Sequence, residues 1–243
     1  MDEYQSAPWL SRQALLIGEE SCRKLAGASV AIIGLGGVGG AAAEGLARAG
    51  VGRLILVDHD RVDLTNLNRQ LIATRDTVGM AKTEAAAARI RQINPDCTLR
   101  LLPIFYGADT AEALFAEKPD YVLDCIDTVT AKLHLAEQCR ERQIPLLISL
   151  GTGNRLDPSS FRIGDIAETA ACGSGDGLAR VMRKELKKRG IYKARVLYSV
   201  EPAAKTVLPN GAGRYAPGSI SFCPPAAGFL LASRVVRDLI GQK

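Results

Sequence analysis

The residues whose types and spacing could do chemistry begin at Gly34-Leu35-Gly36-Gly37-Val38-Gly39. An apolar run, Val30-Ala31-Ile32-Ile33, precedes them, and a small-residue helical pattern from Ala41 to Ala47 follows. A second apolar run, Leu54-Ile55-Leu56-Val57, then ends on Asp58. Strand, tight turn, helix, strand and acid in this order make an anion site. Gly34 lets the chain reverse, Gly36 keeps side chains away from a phosphate, and Gly39 lets helix and strand pack closely. Amides at the helix start face the anion, and Asp58 can accept from ribose hydroxyls. A nucleotide is the expected ligand, and the fingerprint alone serves a dinucleotide or ATP equally.

Polar side chains then crowd the stretch from Asp60 to Gln70, which holds Asp63, Thr65, Asn66, Asn68 and Arg69. Acids, amides and guanidinium groups at that density suit phosphate, sugar or metal, and the stretch is too polar for a core element. Thr77-Val78-Gly79-Met80-Ala81-Lys82 opens an alanine-rich helix that stops at Asn94-Pro95-Asp96. Further on, Tyr121-Val122-Leu123 runs into Asp124-Cys125-Ile126-Asp127.

The elements that must position these groups alternate. Strands are expected at 98–102, 121–123 and 146–150, and helices at about 110–117 and 131–142. Continuous rather than alternating apolar character means a buried parallel sheet. The expected fold is therefore α/β, a Rossmann-like, mostly parallel sheet with helices on both faces. Ligands of such sheets bind beyond the carboxyl ends of the strands, where Gly34, Asp58 and Asp127 all fall. A helix from Leu10 to Leu25 precedes the first strand and carries Arg12, which by itself reads as a solvated charge. After Gly151 the rhythm changes into an extension of strands and helices. It comprises a strand at 161–163, a helix at 178–190, a strand at 195–200, a long loop at 203–218 with Pro209-Asn210-Gly211 and Gly213, and a helix from Pro224-Pro225 to Ile240.

At 243 residues, with 47% hydrophobic and 23% charged residues, the chain can bury one sizeable core. We expect a single domain over 1–243, with the nucleotide-binding core in 1–151 and a substrate-side extension in 152–243. The apolar runs are too short to span a membrane, and Met1-Asp2-Glu3 lacks the basic start of a secretion signal, so a cytoplasmic protein with no membrane partner is expected. Six cysteines without a C-x-x-C pair, and only two histidines, argue against a structural zinc site. A net charge of +5 permits a nucleic-acid partner without requiring one.

The ordered set Gly34-x-Gly36-Gly37-x-Gly39, Asp58-x-Asp60, Asn66-x-x-Arg69-Gln70, Val78-Gly79-x-x-Lys82 and Asp124-x-x-Asp127 resembles the ATP-binding motifs of the ubiquitin-activating-enzyme-like (ThiF/MoeB/HesA) superfamily. That resemblance implies that a carboxylate attacks the α-phosphate of ATP, expels pyrophosphate and becomes an acyl adenylate. It implies Asp58 on the ribose, with Asp60 in the same nucleotide-binding set. Asn66, Arg69 and Lys82 line the triphosphate and Asp127 holds Mg²⁺. Arg12 reaches the nucleotide of a partner subunit in a homodimer, as an arginine finger does. The plainer alternatives are a solvated helix residue for Lys82 and a helix cap for Asp127.

The second half narrows the resemblance. Asp157-Pro158, Asp165-Ile166, Leu178-Ala179-Arg180, and above all Pro217-Gly218-Ser219-Ile220-Ser221-Phe222 with Pro224-Pro225-Ala226-Ala227-Gly228 resemble the tRNA threonylcarbamoyladenosine dehydratases. Those enzymes use ATP to close the threonylcarbamoyl group of a modified adenosine beside the anticodon into a ring, with loss of water. Gly175-Asp176-Gly177 departs from the Asp-Pro that relatives commonly have, which puts the loop conformation there in question. The resemblance implies tRNA bearing threonylcarbamoyladenosine as partner and leaves room for a sulfur-transfer protein. Arg180, Arg183, Lys184, Lys187, Lys188, Arg189, Lys193 and Arg195 form a basic cluster facing only Glu185, suited to RNA phosphates or to plain solvation. Cys223 begins a helix, where a thiolate would be stabilised, yet packing is the better reading for it and for Cys172, and no nucleophile is assigned. The alternatives are an adenylyltransferase for the terminal glycine of a ubiquitin-like sulfur carrier, a nicotinamide dehydrogenase, and a nucleotide sensor. The dehydrogenase gives Arg69 and Lys82 no role, and the sensor gives none to a magnesium-facing Asp127.

Overall fold

In the computed structural model, residues 5–204 and 217–242 are described; the expected Pro209-Asn210-Gly211 turn and Gly213 lie outside them. Seven strands form one sheet: β1 Ser29–Ile33, β2 Arg53–Val57, β3 Thr98–Leu102, β4 Tyr121–Asp124, β5 Leu146–Ser149, β6 Phe161–Asp165 and β7 Arg195–Ser199. Their order is β3-β2-β1-β4-β5-β7-β6, parallel throughout except for β6, which pairs antiparallel to β7 at one edge. This is the Rossmann-like α/β architecture that the apolar runs imply. β1, β2 and β4 are buried on both faces because each lies between parallel neighbours covered by helices.

The connecting helices are α1 Ser11–Ile17, α2 Glu19–Gly27, α3 Gly37–Arg48, α4 Lys82–Ile93, α5 Ala111–Phe115, α6 Val129–Glu141, α7 Gly177–Lys188 and α8 Cys223–Leu239. One core packs Val30, Ile32, Leu54 and Leu56 against α3, α4 and α8. A second packs Ala31, Ile33, Ile55 and Val57 against α5 and α6, and a third joins α6, α7, β5 and β7. The register puts Ile33 opposite both Val57 and Asp124, so β1, β2 and β4 end at one level. The residues that follow those ends, Gly34, Asp58 and Cys125, therefore share one rim. The strand order reverses between β1 and β4, which is where such sheets open a crevice.

The helix expected over Leu10–Leu25 is two helices. Gly18 has φ 81 and ψ 156, so the chain turns there. α2 buries Cys22 and Leu25, whereas α1 buries no residue and holds Leu15 and Leu16 at 89% and 84% exposure. Leu15 and Leu16 thus serve a different surface from Cys22 and Leu25, while Ile17 packs against the core that Leu25 enters. In that same core, α8 lies along α3 so closely that a Cβ on Gly228 would come within 2.3 Å of the Val38 carbonyl oxygen.

Candidate functional site

The glycine turn is built as the spacing requires. Gly34 has φ 91, and a Cβ there would lie 2.7 Å from the Cys125 carbonyl oxygen, so β1 leaves the sheet hard against the end of β4. A Cβ on Gly39 would lie 1.8 Å from the Gly34 carbonyl oxygen, which allows α3 to start directly beneath the turn. At Gly36 an added Cβ would meet only the Gln70 amide, at 4.0 Å, so the backbone faces open space there. Asp58 is 8% exposed; its Oδ2 accepts from the Leu35 amide at 2.6 Å and its Oδ1 from the Asp60 amide at 2.8 Å. The first bond ties the end of β2 to the turn and the second fixes the chain just after β2, and the second lone pair of each oxygen remains for hydroxyl donors.

An open cleft of about 430 Å³ runs over these strand ends. Gly34, Gly36, Gly37, Asp58, Asp60, Asn66, Arg69, Lys82 and Asp127 all line it. Gly39 does not: it is buried and supports the turn from below. Arg12 does not line it either and lies exposed on α1.

The polar stretch after β2 is held by its own side chains. Asp63 Oδ1 accepts from the Thr65 amide, Asn66 Oδ1 accepts from the Asp63 amide, and Arg69 Nη1 donates to the Thr65 carbonyl and to Asn68 Oδ1, both at 2.8 Å. Lys82, 7% exposed at the start of α4, donates from Nζ to Asp60 Oδ2 at 2.7 Å. Burial works to raise the Asp60 carboxyl, but the Lys82 hydrogen bond and charge, with His59, outweigh it and hold it below its ordinary value. Asp58, His59 and Asp60 bring ligand atoms within 4.8 Å of one another, yet the Lys82 ammonium already supplies the cation at Asp60. Asp127 is exposed in the cleft and accepts only from Thr128 Oγ1, at 3.3 Å, among the described residues. A single open carboxylate in a cleft that also holds Arg69 and Lys82 fits Mg²⁺, which binds through one or two carboxylates plus substrate phosphates.

Sequence reasoning gives part of the lining no role, quoting Gln70 only as a member of its motif. Gln70 is 7% exposed, and its Oε1 has no partner among the described residues. It adjoins Arg69 in the same motif, which was the available signal. Phe105, Thr152, Gly153, Pro217 and Ser219 complete the walls. Pro224, at the start of α8, packs where a Cβ on Gly37 would come within 2.7 Å, so the extension backs the turn itself.

Two expectations about the extension change. The basic cluster does not face only Glu185: Arg189 also pairs with Glu137 of α6 at 3.2 Å and Arg195 with Asp238 of α8 at 2.5 Å, while Arg183 donates to Thr169 Oγ1. Arg180, Lys184 and Lys187 remain exposed on α7 without a salt bridge among the described residues. The departure at Gly175-Asp176-Gly177 is a helix start: Asp176 Oδ1 caps α7 by accepting from the Leu178 and Ala179 amides. Cys223 is fully buried, donates from Sγ to the Arg155 carbonyl at 3.2 Å, and has its thiol pushed up by burial, in keeping with a packing role.

The sequence profile of the ThiF family matches residues 10–242. The tRNA threonylcarbamoyladenosine dehydratase of Bacillus subtilis (strain 168) is 43% identical over 242 residues, covering 95% of this chain and 94% of that protein. Among solved structures, E. coli tRNA N6-threonylcarbamoyladenosine dehydratase, TcdA, in complex with AMP superposes with a TM-score of 0.86 at 34% identity, covering 97% and 96% of the two chains. The same enzyme in complex with ATP gives 0.85 at 34% identity. A glycine turn sealed against β4, an acid at the end of β2 and a near full-length profile match lead to one statement: this chain belongs to the ThiF family.

Proposed function

We propose that the chain is an ATP-dependent tRNA threonylcarbamoyladenosine dehydratase. The observation that carries this reading is the near full-length likeness to the Bacillus subtilis dehydratase, at 43% identity, joined to a cleft whose groups suit an adenylating reaction. In that reaction a threonyl carboxylate oxygen bonds to the α-phosphorus of ATP and pyrophosphate leaves. The carbamoyl group then displaces AMP and closes the ring, so the oxygen lost by the carboxylate departs with AMP. Two anions must meet, and fixed positive charge lowers that barrier. We assign Asp58 and Asp60 to the ribose end, and Asn66, Arg69 and Lys82 to the phosphates. Asp127 would hold Mg²⁺, which neutralises charge on the phosphate oxygens. No covalent enzyme intermediate is needed, because the carbamoyl group is tethered to the activated carboxylate.

The reading extends to partners. Leu15 and Leu16, almost fully exposed on α1, support a homodimer in which Arg12 reaches the partner's nucleotide. Arg180, Lys184 and Lys187 support contact with tRNA phosphates. We read 1–151 as nucleotide core and 152–243 as substrate-side extension of one domain, on the strength of α8 packing along α3. Among the described residues no helix is long and apolar enough to cross a membrane, and a tRNA substrate supports a cytoplasmic location.

The test incubates the purified chain with Mg-ATP and tRNA carrying threonylcarbamoyladenosine, followed by mild digestion and mass spectrometry. Loss of one water only with ATP is expected, with Lys82→Ala and Asp127→Asn falling on the order of a hundredfold or more. Turnover by the chain alone removes the need for a sulfur-transfer partner. An unchanged nucleoside, together with pyrophosphate exchange driven by a sulfur carrier's terminal glycine, would replace this reading with the adenylyltransferase.

A further inference from the structure

The sheet order maps the cleft in one direction. Asp58 ends β2, Gly34 ends β1, Asp127 follows β4, and Thr152-Gly153 follow β5. The groups suited to ribose and phosphates occupy the β2-β1-β4 part. The same cleft is walled beyond β5 by Thr152, Gly153, Pro217 and Ser219, none of which is among those groups.

That wall is made of two chain segments far apart in sequence, and one residue joins them. Asn154 has φ 57, a left-handed conformation that asparagine tolerates better than most side chains. Its backbone N donates to the Gly218 carbonyl at 2.7 Å, and its Oδ1 accepts from the Gly218 amide at 2.7 Å. Its own carbonyl accepts from the Ala204 amide at 2.8 Å. Next to it, a Cβ on Gly153 would lie 2.6 Å from the Pro217 Cβ, so the two segments are in close contact. From the opposite side Asn68 Nδ2 donates to the Ser219 carbonyl at 3.1 Å. Pro217-Gly218-Ser219 is thus gripped from both banks of the cleft.

We propose that Asn154 is a positioning residue for the acceptor. It sets the wall formed by Thr152-Gly153 and Pro217-Ser219, and this wall seats the carboxylate-bearing group that attacks ATP. Thr152 and Ser219 are the hydroxyl-bearing residues of that wall. The nature of the acceptor, a modified nucleoside in tRNA, rests on the proposed function; the role of Asn154 in holding the wall does not.

The experiment compares wild type, Asn154→Gly and Asn154→Asp in the full-length chain. Glycine keeps the left-handed backbone and removes the Oδ1 acceptor; aspartate keeps an acceptor oxygen. Three quantities are read: the Kd for ATP without tRNA, kcat/KM for threonylcarbamoyladenosine-bearing tRNA at saturating ATP, and amide hydrogen exchange over 217–219. Asn154→Gly should leave the ATP Kd within about twofold, lower kcat/KM by at least about 2- to 10-fold, the worth of the Gly218–Oδ1 hydrogen bond, and speed exchange at Gly218. Asn154→Asp should restore slow exchange. Weakened ATP binding in step with kcat/KM would assign the wall to the nucleotide and overturn the proposal, as would unchanged exchange and turnover. If wild type leaves the nucleoside unmodified, the dehydratase reading fails, while exchange at Gly218 still decides whether Asn154 holds the wall.

Discussion

Lys132→Met should be among the most damaging single changes outside the cleft. Lys132 is fully buried on α6; its Nζ donates to Asp124 Oδ1 at 2.9 Å and to the Ser149 carbonyl at 2.7 Å. It therefore joins the end of β4 to the end of β5, just before Asp127 and Thr152 enter the cleft. Asp124 is also fully buried and otherwise accepts only from the Ile126 amide; its Oδ2 has no partner among the described residues. Removing the ammonium strands a buried carboxylate, which costs about 3–5 kcal/mol. For a chain of this size that lowers Tm by roughly 6–20 °C. Burial raises the Asp124 carboxyl even beside Lys132, and more so without it. In the variant the folded state then binds a proton more tightly than the unfolded chain. Its stability deficit should shrink as pH falls from 7 toward the ordinary carboxylate range. Thermal and urea melts at pH 7 and pH 5.5 measure both effects, and adding Asp124→Asn should recover about half the loss by removing the stranded charge. A loss below about 1 kcal/mol, or a double variant no more stable than the single one, would refute the reasoning.

Three other changes have defined outcomes. Glu44, 5% exposed, accepts from Arg48 at 2.8 Å and Arg89 at 2.5 Å. Burial raises its carboxyl, but the two arginines together hold it below the ordinary value. Its stabilising contribution is present above the unfolded pKa of about 4.5 and is lost as pH falls through the lower folded value; Glu44→Gln should flatten that acid limb in pH-dependent melts. Gly177→Pro should stabilise by about 0.4–1 kcal/mol in urea melts, because this first position of α7 has open space around it, makes no backbone donation among the described residues and follows an extended Asp176. Gly39→Ala should abolish measurable ATP binding in calorimetry, since its methyl would overlap the Gly34 carbonyl and push the turn off β4.

The sheet was legible because its strands are continuous apolar runs, and the crevice because the glycines and Asp58 punctuate two of them. Boundaries moved only where tertiary contacts decide. Gly18 splits the first helix because Cys22 and Leu25 enter the core while Leu15 and Leu16 stay outside it. The counter-charges of the basic cluster were hidden because Glu137 and Asp238 lie on other helices, brought to β7 and α7 only by folding. Asn154 was invisible for a related reason: a polar side chain in a loop has no periodicity, and its value lies in which distant backbone it meets.

The contact of α8 with α3 has a consequence for how the protein is made. Pro224 and Gly228 are the residues that back Gly37 and Val38, yet they are synthesised long after the turn they support. At about 5–20 residues per second, the ribosome needs on the order of ten to forty seconds between the two. During that interval the nascent chain carries a glycine turn without its backing and an α3 face waiting for its cover. Competence to hold nucleotide therefore arrives late in translation, once α8 can cover α3 and back the turn.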